Sequence, residues 1–208
     1  LAAVGEHGVT HTQVVPTMFV RMLKLKEDVR NAYDVSTLQS AVHAAAPCPV
    51  DVKHRMIEWW GPIICEYYAG TEGNGLTLIA SPQWLEHPGS VGKAMTGIPH
   101  NCDEEGKELP NGEAGLIYFE SEKMPFEYHG APEKTKSAQH PIHPNWSALG
   151  DVGYLDDDGY LYLTDRKAFT MNIGGVNVYP QEAENALITH TTVIHAAVIG
   201  IPHEEYGE

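Results

Sequence analysis

Short blocks of apolar and polar residues follow one another along this chain, and the spacing inside each block predicts its element. After a helical tail over 1–9, residues 10–15 read as a strand that Pro16 halts. A short helix over 17–25 then carries Met18, Phe19, Met22, Leu23 and Leu25 on one stripe, which is core packing in the first instance. Small apolar residues over 38–46 predict a second strand, with Ala45-Ala46-Pro47 as its exit. Residues 50–60 predict an amphipathic helix, with Val52, Met56, Ile57, Trp59 and Trp60 apolar and Lys53, His54, Arg55 and Glu58 polar. Gly61-Pro62 breaks the chain before a short buried strand over 63–67. Another strand spans 76–80, a loop surrounds Pro82 and Pro88, and 116–120 alternates as a half-buried strand does. Residues 124–147 read as loop. Residues 152–155 and 160–164 form the arms of a hairpin, whose Asp158-Gly159 pair suits the positive φ angles of a tight turn. A helix over 180–190 is opened by Pro180, with Glu182 and Glu184 near its positive end. An apolar strand over 193–201 follows.

Chemistry concentrates in two stretches. The first, 149–184, adds to its hairpin an isolated Asp151, an Asp165-Arg166 pair ending the return strand, and Gly174-Gly175, whose backbone is free to approach another group closely. A plain core hairpin needs less than this, although Asp151 and Arg166 alone also read as an ion pair capping it. The second is Tyr68-Ala69-Gly70-Thr71-Glu72-Gly73-Asn74-Gly75, a strand running into a glycine-rich turn. Backbone N–H groups and a hydroxyl there can hold phosphate oxygens, and a carboxylate suits a hard cation; an ordinary solvated turn is the alternative. His140-x-x-His143 is not read as a metal site. Each histidine precedes a proline, which disfavours the helix that would align them, and no third ligand is placed nearby.

Composition narrows the class. The 208 residues can bury a sizeable core in one or two domains, 42% are apolar, and no apolar run approaches a membrane span. A net charge of −15 argues against a nucleic-acid partner. The three cysteines, Cys48, Cys65 and Cys102, are odd in number and widely separated, so the expectation is a reducing cytoplasm without a disulfide framework or zinc site. Leu1 opens the chain without a signal-peptide pattern, and 193–201 is followed by nothing that could cover it, so the sequence reads as an internal piece of a longer protein.

The run GD-VGYLD-DGYLYLTDR followed by GG-N-YP-E-E, together with YAGTE and GSVGK (89–93), resembles the core motifs of the adenylate-forming (AMP-binding) superfamily, and most of all its acyl-CoA ligases of the fatty-acid and 4-coumarate type. The resemblance extends over nearly the whole chain. It implies an α/β adenylate-forming fold fragment: the C-terminal part of the large nucleotide- and acyl-binding α/β subdomain (1–88), a small β-barrel subdomain with the ribose-binding hairpin (89–165), and the hinge and start of a mobile α+β C-terminal domain (166–208). It implies ATP activation of a carboxylic acid, a fatty acid in the first reading, to an acyl-adenylate, followed by transfer to the thiol of CoA. Thr71 and Glu72 are then the catalytic residues, Thr71 on the α-phosphate and Glu72 as the ligand of Mg2+. Ala45, Ala46 and Pro47 border adenine, Tyr68 stacks on it, and Tyr67, Ala69 and Gly70 complete the cradle. Asp151 takes the ribose hydroxyls, Arg166 a ribose or phosphate oxygen, and Gly174 and Gly175 line the path of the CoA arm. The 14–19 segment borders the acyl pocket.

Three positions depart from the resembled pattern: Ala69 where glycine is usual, Ala168 at the hinge in place of Asp or Lys, and Ile173 in place of Ser before the glycine pair. Two expected parts, a phosphate loop ending in lysine and a C-terminal catalytic lysine, are not in the sequence. An adenylation domain feeding a carrier-protein thiol, and a nucleotide-binding relative without catalysis, are the competing readings. The implied partners are ATP, CoA and a small carboxylic acid, with no nucleic acid and no membrane span.

Overall fold

The computed structural model describes residues 1–173 and 176–201. In chain order its elements are α1 (Ala2–His7), β1 (His11–Val14), α2 (Pro16–Leu23), α3 (Glu27–Asn31), β2 (Ser40–His43), α4 (Val50–Trp60), β3 (Ile64–Ala69), β4 (Leu76–Ala80), α5 (Ser81–Glu86), β5 (Ser90–Thr96), β6 (Ile98–Cys102), β7 (Gly115–Glu120), α6 (Pro132–Ser137), β8 (Trp146–Leu155), β9 (Leu161–Arg166), β10 (Met171–Ile173), β11 (Val176–Val178) and α7 (Pro180–Ile188). They form an α/β structure in two compact units, one of 1–68 with 78–92 and one of 69–77 with 93–208. No helix among the described residues is long and apolar enough to cross a membrane.

The first unit is built on parallel strands. β1 pairs with β2 and β2 with β3, so that Val14 lies opposite His43 and His43 opposite Glu66. One apolar set (Val14, Phe19, Val20, Leu23, Ala41, Val52, Met56, Ile57 and Ile64) is buried among these strands and the stripes of α2 and α4. Phe19 meets Trp60 edge-on at 5.8 Å. Gly61 ends α4 at φ 84, a conformation that glycine adopts without the Cβ penalty. The loop expected around Pro82 is instead the helix α5. Proline is tolerated in a first helical turn, where its missing N–H would lack a partner anyway, and the Ala80 N–H donates to Gln83 Oε1 at 3.2 Å. Buried Ser81 also donates its hydroxyl to the Ile64 carbonyl and accepts the Ile64 N–H, which pins the start of β3.

The second unit contains an antiparallel meander, β6-β7-β8-β9. Cys102, Tyr118, Trp146 and Ala148 form its buried cluster with Leu116 packed against it. The expected hairpin is present, but its first arm begins at Trp146, six residues early. The ladder runs through Gly150, which takes φ 89, and shifts register between Val152 and Gly153. His140 packs edge-on to Trp146 and His143 stacks on it. Nδ1 of His140 accepts the N–H groups of Ile142 and His143, and its Nε2–H donates to the Gly106 carbonyl at 2.8 Å, so both ring nitrogens are taken.

β10 and β11 pair antiparallel before α7. Over 193–201 no strand forms. A strand persists only with a ladder partner, and here the Val198 N–H donates to the Glu184 carboxylate at 2.9 Å instead. Ile194, Ile199 and Ile201 are left largely exposed.

Candidate active site

The glycine-rich stretch after β3 folds as a tight turn. The Gly73 N–H donates to the Gly70 carbonyl at 3.1 Å, so Thr71 and Glu72 occupy its two central positions and their side chains project from the chain. Gly73 takes φ 69, which closes the turn. A Cβ at Gly70 would lie 2.0 Å from Leu149 Cδ1 and 3.0 Å from Glu72 Oε2, so a larger residue there would displace the Leu149 side chain. Gly75 likewise lies against the Phe119 ring. Asn74, buried, donates to the Ser147 carbonyl at 3.3 Å. The turn is thus seated along β8, the strand that carries Asp151 two residues beyond Leu149.

Thr71 is exposed and Glu72 half-buried. The carboxylate accepts from Thr71 Oγ1 at 3.3 Å and from the Tyr128 hydroxyl at 2.9 Å. Burial pushes its pKa up, but its own backbone N–H, the Tyr128 and Thr71 hydroxyls and the charge of Lys134 outweigh that and hold it below the usual carboxylate range. Glu72 is therefore ionised at neutral pH. No group of three or more potential ligands among the described residues could cage a metal. A single hard carboxylate fits Mg2+, which usually keeps several waters and binds through one or two carboxylates plus substrate phosphates.

Asp151 and Arg166 stand directly opposite each other on β8 and β9. Arg166 Nε donates to Asp151 Oδ1 at 3.1 Å; the aspartate side chain is 10% exposed and the arginine side chain 61%. The pairing leaves most of the arginine side chain exposed. The neighbouring Asp165 has a separate task, since its Oδ2 accepts the Gln181 N–H at the start of α7 and ties that helix to β9.

In the first unit, Ala45, Ala46 and Pro47 follow β2 at the carboxyl edge of the parallel strands, all three exposed. Ala45 takes φ 72, the left-handed region that disfavours a Cβ. Tyr67 and Tyr68 end β3 half-buried, and Gln13 donates to the Tyr67 hydroxyl at 3.1 Å. Ala69 is exposed beside Gly70. Gly174 and Gly175 lie outside the described residues. The sequence reading missed Tyr128, which reaches Glu72 from 56 residues away. No local pattern announces that contact, although Tyr128 sits between Phe126 and Lys134, whose ring and ammonium pack on it.

The family model described as AMP-binding enzyme matches residues 1–129. A fatty acid–[acyl-carrier-protein] ligase of Streptomyces coeruleorubidus is 33% identical over 207 residues, covering 97% of this chain and 39% of that protein. A long-chain-fatty-acid–CoA ligase of Bacillus subtilis strain 168 is 29% identical over 210 residues, covering 100% of this chain and 37% of that protein. Among solved structures, an amide bond synthetase from Marinactinospora thermotolerans superposes with a TM-score of 0.82 at 26% identity, over 99% of this chain and 41% of the other. The chain thus spans about two fifths of the length of the proteins it matches.

Proposed function

This chain belongs to the AMP-binding enzyme family, and from that premise we propose that it is part of an AMP-forming acid–thiol ligase. In this reading a carboxylate attacks the α-phosphate of ATP, the bond to pyrophosphate breaks, and the acyl-adenylate then passes its acyl group to a thiol with release of AMP. A fatty acid and CoA are the proposed acid and thiol. The observation that carries the reading is the Gly70–Gly73 turn, which presents an ionised Glu72 beside the exposed Thr71 hydroxyl.

Each residue then has a task. The Thr71 hydroxyl donates to an α-phosphate oxygen, and Glu72 holds Mg2+ with the nucleotide phosphates. When bound, that cation neutralises charge developing on the phosphates. Asp151, an acceptor with two oxygens, takes the ribose hydroxyls, while the exposed part of Arg166 is available to a ribose or phosphate oxygen. Ala45, Ala46, Pro47, Tyr67, Tyr68, Ala69 and Gly70 surround the nucleoside, and Gly174 with Gly175 borders the thiol's path. The proposed domains are 1–88 for nucleotide and acyl binding, 89–165 for the ribose hairpin, and 166–208 for the hinge and mobile part. Free Cys48, Cys65 and Cys102 suit a reducing cytoplasm.

In the full-length protein, Glu72→Gln keeps the shape but removes the anionic oxygen. Pyrophosphate release with a fatty acid is expected to fall at least about a hundredfold, the scale of losing one preorganised electrostatic group. Unchanged release with unchanged magnesium dependence would sink the assignment. The Streptomyces relative transfers to a carrier protein by its name, which supports a second reading of the acceptor. Faster single-turnover decay of the acyl-adenylate with phosphopantetheinyl carrier protein than with CoA would select it.

A further inference from the structure

The two oxygens of Glu72 are held unequally. Thr71 Oγ1 donates to Oε2 at 3.3 Å, a long contact, whereas the Tyr128 hydroxyl donates to Oε1 at 2.9 Å. Oε2 is also the oxygen beside Gly70, where a Cβ would come within 3.0 Å of it. One oxygen is therefore engaged by a side chain at 2.9 Å and the other at 3.3 Å, with the backbone N–H of Glu72 adding a further contact to the carboxylate.

Tyr128 is itself braced. Its backbone N–H donates to Thr135 Oγ1 at 2.8 Å, and its carbonyl accepts the Ala131 N–H at 3.0 Å. The Lys134 ammonium lies 4.0 Å from the centre of its ring, and Phe126 meets the ring edge-on at 5.2 Å. The segment from Phe126 through the first turn of α6 fixes the direction in which this hydroxyl points.

We propose that Tyr128 is a positioning residue for adenylation: its hydroxyl anchors Glu72 Oε1, so that the carboxylate offers Oε2 to the divalent cation of the nucleotide complex. The proposal rests on the reading of Glu72 given above and adds to it a residue from a distant part of the chain. Thr71, holding Oε2 only at 3.3 Å, releases it at little cost when ligand enters.

The test uses the full-length protein with Mn2+ as the probe, bound in the presence of a non-hydrolysable ATP analogue and followed by electron paramagnetic resonance. The KM for Mg2+ and kcat for pyrophosphate release are measured alongside. Tyr128→Phe keeps the ring under Lys134 and against Phe126 but removes the hydroxyl, and Tyr128→Leu removes both. Phe is expected to weaken Mn2+ binding and raise the KM for Mg2+ about tenfold, the scale of one hydrogen bond to a charged group. The change in kcat is expected to be smaller, and Leu is expected to do little more harm than Phe. Thr135→Val frees the Tyr128 backbone N–H while keeping the hydroxyl. It is expected to shift Mn2+ affinity the same way by less, and it decides the matter should Tyr128→Phe fail to fold. Wild-type Mn2+ affinity in Phe with loss only in Leu would reduce Tyr128 to a packing role, and tighter Mn2+ binding in Phe would make the hydroxyl a competitor; either overturns the proposal. If Glu72→Gln weakens Mn2+ binding while Tyr128→Phe does not, only the positioning role fails. If Glu72→Gln leaves Mn2+ binding unchanged, the Glu72 reading fails and the Tyr128 role with it.

Discussion

Glu66 and Glu72 are chemically identical, lie six residues apart and have opposite fates. Glu66 sits within β3, 6% exposed, where Lys53 Nζ contacts its Oε2 at 2.5 Å and His43 Nε2 lies 3.5 Å from the same oxygen. Burial pushes its carboxyl above the usual range, with Lys53 pulling the other way. Burial likewise lowers the Lys53 ammonium and, with the charge of Lys53, holds His43 neutral down to about 3. Glu72 stands in the turn that follows, where burial raises its carboxyl but a backbone N–H, two hydroxyls and the charge of Lys134 together outweigh that and keep it ionised. The strand carboxylate is paired with a buried internal cation, while the turn carboxylate is held by hydroxyls and a backbone N–H near the surface, as the proposed Mg2+ ligand needs. Position relative to the end of one strand separates a buried, paired charge from the one proposed to act on a ligand.

The harshest way to break that contrast is to remove the partner of Glu66. Lys53→Met leaves a buried carboxylate without its cation and is expected to cost about 3–5 kcal/mol of unfolding free energy. The double variant Lys53→Met/Glu66→Leu is expected to regain most of it, because apolar side chains fill the same space without desolvating charge. Chemical denaturation of the single and double variants measures both. A Lys53→Met protein as stable as the parent would mean that Glu66 is not held as described.

Acidification is expected to act next in size. His43 has a folded pKa below its unfolded value, so the unfolded chain binds a proton that the folded chain refuses between about 6.5 and about 3. Its contribution is complete above pH 6.5 and is lost on acidification, at no more than about 1.4 kcal/mol per pH unit. Glu72, with a depressed pKa, adds a loss in the same direction once pH falls through its folded value. Glu66 opposes both, since a raised carboxyl pKa gives stability at low pH that fades as pH rises through the folded value. Urea melts between pH 7 and pH 5 are expected to show stability falling with pH, and His43→Leu to flatten the slope. An unchanged slope would remove His43 from this account.

The smallest effect sharpens the contrast from the other side. Glu72→Gln, at a half-exposed turn position, is expected to change unfolding free energy by within about 0.5 kcal/mol, although the same substitution is expected to abolish most adenylation. A loss of several kcal/mol on thermal or urea unfolding would place Glu72 in the structural class with Glu66.

Local order along the chain determined much of this protein. Glycine, threonine and glutamate in succession after a β-branched and aromatic block specify a strand and its turn, and Asp158-Gly159 specifies a hairpin, because period and turn chemistry are written in neighbouring residues. The ordered motifs, recurring at long fixed spacings, also carried the family. Tertiary structure alone decided the rest. It turned the loop at Pro82 into α5, extended the hairpin arm back to Trp146, and left 193–201 without a ladder. It also placed Ala45 in a left-handed conformation, joined Asp165 to the N–H of Gln181, and brought the Tyr128 hydroxyl to Glu72. Each of these depends on which distant groups meet, and a hydrogen bond between residues 56 positions apart leaves no period in the sequence from which to read it.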